Sequence, residues 1–227
     1  GVPLYQVTHV GGMFSSFNTD IVRSLDFYKS GFPARYGSKL SSVVDVTTRD
    51  GNFEEFHGTF SIGLIDGRFQ LEGPLWKGKT SFNFGLRRTW TETISVPVIA
   101  YINKMEGDMN DPYGGYKSRV NLRYAFTDLN AKITHKFSNT NILSANFYTG
   151  RDVFRFHDDY ERNYTDGTYS RDITDMNLSW GNVLGSLVWN YEFSDSMSMR
   201  NMAYYSGSLS GMNFSDYSVD IPGSDVK

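Results

Sequence analysis

From about residue 56 onward, apolar and polar positions alternate with a period of two, the pattern of strands with one greasy and one polar face. Phe60, Ile62 and Leu64 share one face, with Thr59, Ser61 and Gly63 on the other. Asp66-Gly67 is a hairpin signal, and beyond it Phe69 and Leu71 alternate with Arg68, Gln70 and Glu72. Trp76-Lys77-Gly78-Lys79 predicts the next turn. Phe82, Phe84 and Leu86 then oppose Ser81, Asn83, Gly85 and Arg87, which puts Arg87 on the face away from Phe84. The pattern resumes near Leu122, with Leu129, Ala131, Ile133 and Phe137 against Asn130, Lys132, Thr134 and Lys136. A turn at 138–141 leads to Leu143, Ala145 and Phe147 against Ser144 and Asn146. Val183, Leu187, Trp189, Tyr191 and Phe193 oppose Ser186, Asn190 and Glu192, and a turn at 194–196 opens a last strand, Met197 to Tyr205.

The expectation is all-β: about seven antiparallel strands, several near or above the ~9–11 residues that a tilted membrane-crossing strand needs. The turns at 76–79, 138–141 and 194–196 are short, whereas 89–121 and 157–176 read as long polar, aromatic connections. Long and short ones alternate, so the long ones gather at one end, as in outer-membrane barrels. Alternation by itself fits a soluble sandwich equally well, with its polar face in water.

Composition narrows the field. Twenty-two Lys and Arg against 25 Asp and Glu leave no basic footprint for nucleic acid. The absence of Cys removes thiol catalysis, disulfides and thiolate zinc sites. No run of about 18 apolar residues encodes a membrane helix, and no signal-peptide pattern opens the chain. Structured-looking sequence directly after Gly1 suggests an excised piece. Seventeen Phe, 15 Tyr and 22 Gly suit strands and turns better than helices.

Residues 19–51, TDIVRSLDFYKSGFPARYGSKLSSVVDVTTRDG, resemble the end of the plug domain of TonB-dependent outer-membrane transporters. Within them GFPARYGSKLSSVVDVTTRDG is similar to the variant common in Bacteroidetes receptors. GTFSIGLIDGRFQLEGPLWKGKTSFNFGLRRTW, residues 58–90, resembles the first barrel strands of that subgroup. The resemblance covers about the first 90 residues. It implies a plug inside a barrel of about 22 strands, set in the bacterial cell outer membrane among its lipids. It also implies import of a scarce nutrient, driven by the TonB complex pulling on an N-terminal box. That box, most of the plug and most of the strands are missing, so the chain is expected to be a fragment. Residues 1–52 would be the end of the plug, and 53–227 the first barrel strands with their external loops.

On that reading Val43 to Thr48 is the last plug strand, and Arg49-Asp50-Gly51 carries the chain across to the wall. Gly37 would allow a turn that a Cβ would crowd. Tyr36 and Phe32 would pack inside the plug. Arg35, Tyr36, Asp45, Arg49, Asp50 and Arg87 are the expected contacts between plug and barrel; for the charged ones the alternative is ordinary solvated charge. A plug held by hydrogen bonds and ion pairs can leave without first exposing a large apolar surface.

Tyr113 and Tyr116 in GDMNDPYGGY, and Tyr160 and Tyr164 in HDDYERNYTDG, are candidates for touching a small-molecule or glycan substrate. The second stretch also carries acids of the type that ligate calcium, but their spacing is not that of an EF-hand; solvated loop acids and no metal are the expectation. His9, His57, His135 and His157 have no ligand spacing and read as structural. Trp76, Trp90, Trp180 and Trp189 suit an interfacial aromatic girdle, or plain packing within a sheet. No GxSxG or P-loop motif is present, and neither an enzyme activity nor a cofactor is expected. Siderophores, glycans, peptides and cobalamin-like compounds all remain open as cargo. The rival readings are a soluble β-sandwich that binds glycans on aromatic platforms, and a β-rich glycoside hydrolase whose carboxylate pair a single sequence does not expose.

Overall fold

A computed structural model of the chain describes residues 1–9, 12–29, 31–37, 42–106, 109–111 and 114–223, without the side chains of 106 and 109–111. In chain order the strands are β1 (Thr8–His9), β2 (Phe14–Ser15), β3 (Val22–Tyr28), β4 (Val43–Thr48), β5 (His57–Ile62), β6 (Asp66–Trp76) and β7 (Thr80–Thr89). Helix α1 (Thr91–Glu106) follows, then β8 (Met109–Asp111), β9 (Gly114–Ser138), β10 (Asn141–Tyr164), β11 (Tyr169–Ser194) and β12 (Met197–Ile221). The expected all-β class holds. Seven strands follow one another in a single sheet ordered β12-β11-β10-β9-β7-β6-β5, with β8 paired to β9 aside. β1 pairs with β2 and β3 with β4, each antiparallel.

Contacts group the chain into two units. The first holds Gly1–Arg88, Thr127–Arg151 and Gly181–Leu209. Here the alternation is realised as read: along β7, Ser81, Asn83, Gly85, Arg87 and Thr89 are buried while Phe82, Phe84 and Leu86 stay half-exposed. Thr80 to Arg88 pair with His135 to Thr127 on β9 in unbroken register. Arg87 therefore lies on the face opposite Phe84.

What covers the sheet inverts the usual order. Gln6, His9, Ser15, Ser16 and Thr48 to Asp50 bond to its polar side, where Gln70, Ser81, Asn83, Arg87, Asp128, Thr134, Ser144, Asn182 and Ser186 are buried. The apolar side is bare: Phe60 is 70% exposed, Phe137 60% and Leu187 53%, and Ile62, Ile133, Phe147, Trp189 and Phe193 are also exposed. Ring ladders run along it, Trp76–His135–Phe137 and Trp189–Tyr191–Phe193.

The second unit holds Thr89–Phe126, Asp152–Trp180 and Ser210–Lys227. Two expectations fail in it. Residues 89–121, read as a long polar connection, contain the 16-residue helix α1, and β9 starts at Gly114. The stretch 157–176 is a hairpin: β10 continues to Tyr164 and β11 begins at Tyr169. Its turn rests on Gly167 at φ 86 and on the Asp166 carboxylate accepting from the Thr168 N–H. On β10 the aromatic row of Phe156, Tyr160 and Tyr164 is broken by Asp158 and Arg162, so the hydrophobic period is weak there. In the same way β12 runs on past Tyr205 to Ile221. β9 to β12 run to 24–26 residues, well above the ~9–11 that a membrane crossing needs.

A third difference is local. The first hairpin turns through Gly63-Leu64-Ile65, with the Gly63 N–H bonded to the Asp66 carbonyl. Asp66-Gly67 already belongs to β6, where Gly67 pairs with Ile62.

α1 is placed by its polar side. β7 stops at Thr89, which leaves the β9 edge without a strand at residues 120–126. Side chains fill that gap: Thr89 Oγ1 accepts from the Phe126 N–H, and Thr91 and Ser95 donate to the Tyr124 and Leu122 carbonyls. Asn103 then exchanges two bonds with the Val120 backbone. An open edge would invite pairing with another chain, and this helix satisfies it. Ile94, Val98, Tyr101, Ile102 and Met105 are consequently exposed.

Candidate functional site

The seam between residues 1–52 and the sheet is where the chain concentrates its buried polar chemistry. It has two centres, both within the first unit.

The first centre is Asp128 on β9, wholly buried. Its Oδ2 accepts from Arg87 Nε at 2.9 Å and Nη2 at 2.6 Å, a charge-assisted fork. Its Oδ1 accepts from His9 Nε2 at 3.0 Å and from the Tyr148 hydroxyl at 3.1 Å. Arg87 Nη2 also donates to the Ser15 carbonyl, and the Tyr148 hydroxyl lies 3.3 Å from the Ser16 carbonyl. Three strands thus converge on the β1–β2 hairpin. A carboxylate and a guanidinium out of water are tolerated because each has several partners. Gly150 leaves the room: a Cβ there would stand 2.6 Å from Asp128 Oδ1.

The second centre is Asp50. Its carboxylate accepts from Lys132 at 2.8 Å and from Thr134 at 3.1 Å, with Arg23 at 3.4 Å. The backbone around it is seated as well: Ser81 donates to the Asp50 carbonyl, Asn83 to that of Arg49 and Lys132 to that of Thr48. Gly51 sits at φ 89, and a Cβ on it would overlap the Phe82 carbonyl oxygen. Gly85 is needed too, since a Cβ there would meet Ile21 Cγ2 at 2.6 Å. The crossing by Arg49-Asp50-Gly51 is thus what brings the segment onto the strands. Gly37, expected to be the crowded glycine, has φ −52 and nothing nearer than 3.9 Å to an added Cβ. The steric requirement lies at Gly51 and Gly85.

Of the residues expected at these contacts, Asp50 and Arg87 bridge segment and sheet by their side chains. Arg49 does so by its carbonyl, its guanidinium turning back to the Val22 carbonyl at 3.3 Å. Arg35, Tyr36 and Asp45 bond to one another instead. The buried Tyr36 hydroxyl donates to Asp45 and accepts from Arg35, whose guanidinium lies 4.8 Å from the Tyr36 ring centre. Burial pushes the Tyr36 hydroxyl pKa up, and the bond to Asp45 adds to it. Phe32 is half-buried. His9, Asp128, Tyr148 and Lys132 were not among the expected contacts. Lys132 stood on the correct face; Asp128 continues that face two residues before Asn130, which was its only signal.

The aromatic candidates fall in the second unit. Tyr116 and Tyr160 stack, with centroids 6.0 Å apart and planes at 29°. Tyr164 stands at the end of β10, its ring 4.9 Å from the Arg162 guanidinium. Tyr113 lies outside the described residues. The acids of the 157–167 stretch have protein partners: Asp159 forks with Arg171 at 2.9 Å twice, and Asp158 lies 3.5 Å from Ser118. His157 bonds to Asp175 at 2.8 Å. The Arg171 bonds hold the Asp159 carboxyl below the usual carboxylate range. Trp180 sits against Tyr124 at 6.3 Å, while Trp76 and Trp189 lie on the bare face of the first unit.

The two centres seat one segment on a sheet through hydrogen bonds and ion pairs. No family model, curated protein or solved structure matches the chain.

Proposed function

We propose that the chain is part of a TonB-dependent outer-membrane transporter. Residues 1–52 are the end of its plug, and residues from 53 onward are strands of its barrel wall. The observation that carries this is the inverted burial of the first unit. A sandwich in water seals its apolar rows against a second layer; these rows are bare, and the polar rows are covered. Leaving a side chain such as Phe60 or Leu187 in water forgoes about 1.5–3 kcal/mol, and so large an apolar face on a soluble monomer invites association. Hydrocarbon is the solvent that suits it. β6 and β7, at 11 and 10 residues, have the length to cross. In the second unit Arg119, Arg123 and Arg155 are exposed instead, which suits water. No described helix is long and apolar enough to span a membrane.

The mechanism is mechanical. Cargo is captured by outer loops and plug apices, the TonB complex pulls on the N-terminal side of the plug, and the Asp128 and Asp50 seams let go. Because those seams are polar, water satisfies their groups after release, and no greasy interface has to be torn open. Cargo is moved without any change to its covalent bonds.

Brominated-lipid quenching tests the reading. Reconstituted in vesicles of dibrominated phosphatidylcholine, the chain is expected to lose Trp76 and Trp189 fluorescence relative to plain lipid, with single-Trp variants assigning the signal. A chain that stays monomeric in buffer without detergent and shows no quenching overturns it.

A further inference from the structure

The sheet bonds the backbone of Gln6 and of Pro3. The buried Asn182 side chain accepts from the Gln6 N–H at 3.0 Å and donates to the Gln6 carbonyl at 2.7 Å. Those are the two bonds that a neighbouring strand makes with one residue. Ser206 donates to the Pro3 carbonyl, three residues earlier. From the segment's own hairpin, Ser16 donates its hydroxyl to the Gln6 carbonyl at 3.2 Å and its N–H to the Val7 carbonyl at 3.0 Å. None of these bonds uses a side chain of residues 3–7, and those of Tyr5 and Val7 are exposed.

Gly181 passes so close to the Gly150 carbonyl that a Cβ would not fit, which fixes the backbone that carries Asn182. An amide that presents an acceptor and a donor at peptide spacing recognises main chain and disregards sequence, as strand addition does. A malto-oligosaccharide carries no amide, so it offers neither the N–H nor the C=O that the strip pairs with. Proline at the position of Gln6 lacks the N–H.

We propose that Asn182 and Ser206 form a docking strip for an extended peptide, which residues 3–7 occupy in cis and which a peptide ligand takes once they leave. The inference rests on the reading of residues 1–52 as a displaceable plug, and it narrows the open ligand classes to peptides at this strip.

The test uses the full chain in detergent micelles and fluorescence anisotropy of capped, labelled pentapeptides. The probes are PLYQV, an unrelated proline-free sequence, and PLYPV, with unlabelled maltopentaose as competitor. Gln6→Pro in the chain removes the cis N–H and opens the strip. PLYQV and the unrelated peptide are expected to bind this variant within about threefold of each other, and PLYPV at least about tenfold more weakly, because a donor is lost and its acceptor stranded. Adding Asn182→Leu abolishes binding, Ser206→Ala weakens it, and maltopentaose does not compete. Circular dichroism confirms that each variant keeps its sheet, and the proline peptide probes the same bond with no change to the protein. Binding of PLYPV equal to that of PLYQV, survival of binding in the Asn182→Leu background, or full displacement by maltopentaose overturns the proposal. Peptide binding without brominated-lipid quenching upholds the strip and removes the transporter; quenching without peptide binding does the reverse.

Discussion

Replacing Asp128 by alanine strips the seam of its centre. Arg87 is left with a charge that is out of water, its side chain only 8% exposed, and His9 and Tyr148 lose their shared acceptor. Removing one partner of a buried ion pair costs about 3–5 kcal/mol. The surviving bond from Arg87 to the Ser15 carbonyl argues for the lower half of that range. At about 1.4 kcal/mol per tenfold, opening of the β1–β2 hairpin from the sheet becomes roughly 100- to 700-fold more frequent. Hydrogen–deuterium exchange of the full chain in micelles reads this directly: amides of residues 5–9 and 14–17 speed up by that factor, while those of β5 and β6 keep their rates. The double variant Arg87→Met, Asp128→Leu separates a polar latch from a merely well-packed spot. With no charge left to strand, it recovers most of the protection. Exchange in Asp128→Ala within about twofold of the parent, or a double variant as open as the single one, would refute the assignment of the hold to this ion pair.

Two further outcomes are expected. Gly51→Ala lowers the thermal midpoint by an amount equivalent to about 1–3 kcal/mol, since the residue sits at φ 89 against the Phe82 carbonyl; Gly37→Ala, with φ −52 and open space, leaves the midpoint in place. Asp159 has a folded pKa below its unfolded value of about 3.9. Its contribution to the β10–β11 hairpin is therefore fully present above about pH 4 and is lost as pH falls through the folded value; carboxyl chemical shifts followed by NMR from pH 6 to 2, with Asp159→Asn abolishing the hairpin's acid-side loss of protection, check the sign.

The period-two pattern alone placed the first-unit strands after residue 56, because a side chain's face follows from its parity once a strand forms; β1, β2 and β3 showed no such pattern and were not expected. Arg87 opposite Phe84 and the short turns near 78, 139 and 195 were legible for that reason. So was the crossing at Arg49-Asp50-Gly51, through its resemblance to plug ends. Residues 157–176 were not read as strands: Asp158 and Arg162 interrupt the aromatic row Phe156, Tyr160 and Tyr164, which faces away from Arg155, His157 and Asp159, and weaken the period there. α1 was hidden for a related reason. Its inward side chains, Thr91, Ser95 and Asn103, are polar because they bond a strand edge, so its apolar residues point outward and mark no core. Tertiary structure alone decided the partners of Asp128. His9 lies 119 positions away and Arg87 41, and parity says which face a residue takes but not which distant residue meets it there. Which side of the sheet is covered was likewise undecided in the alternation, which a sandwich and a barrel share. It was settled by Gln6, Ser15, Ser16 and Thr48 to Asp50 bonding to the polar rows, where carbonyls and carboxylates find donors that the apolar rows do not offer.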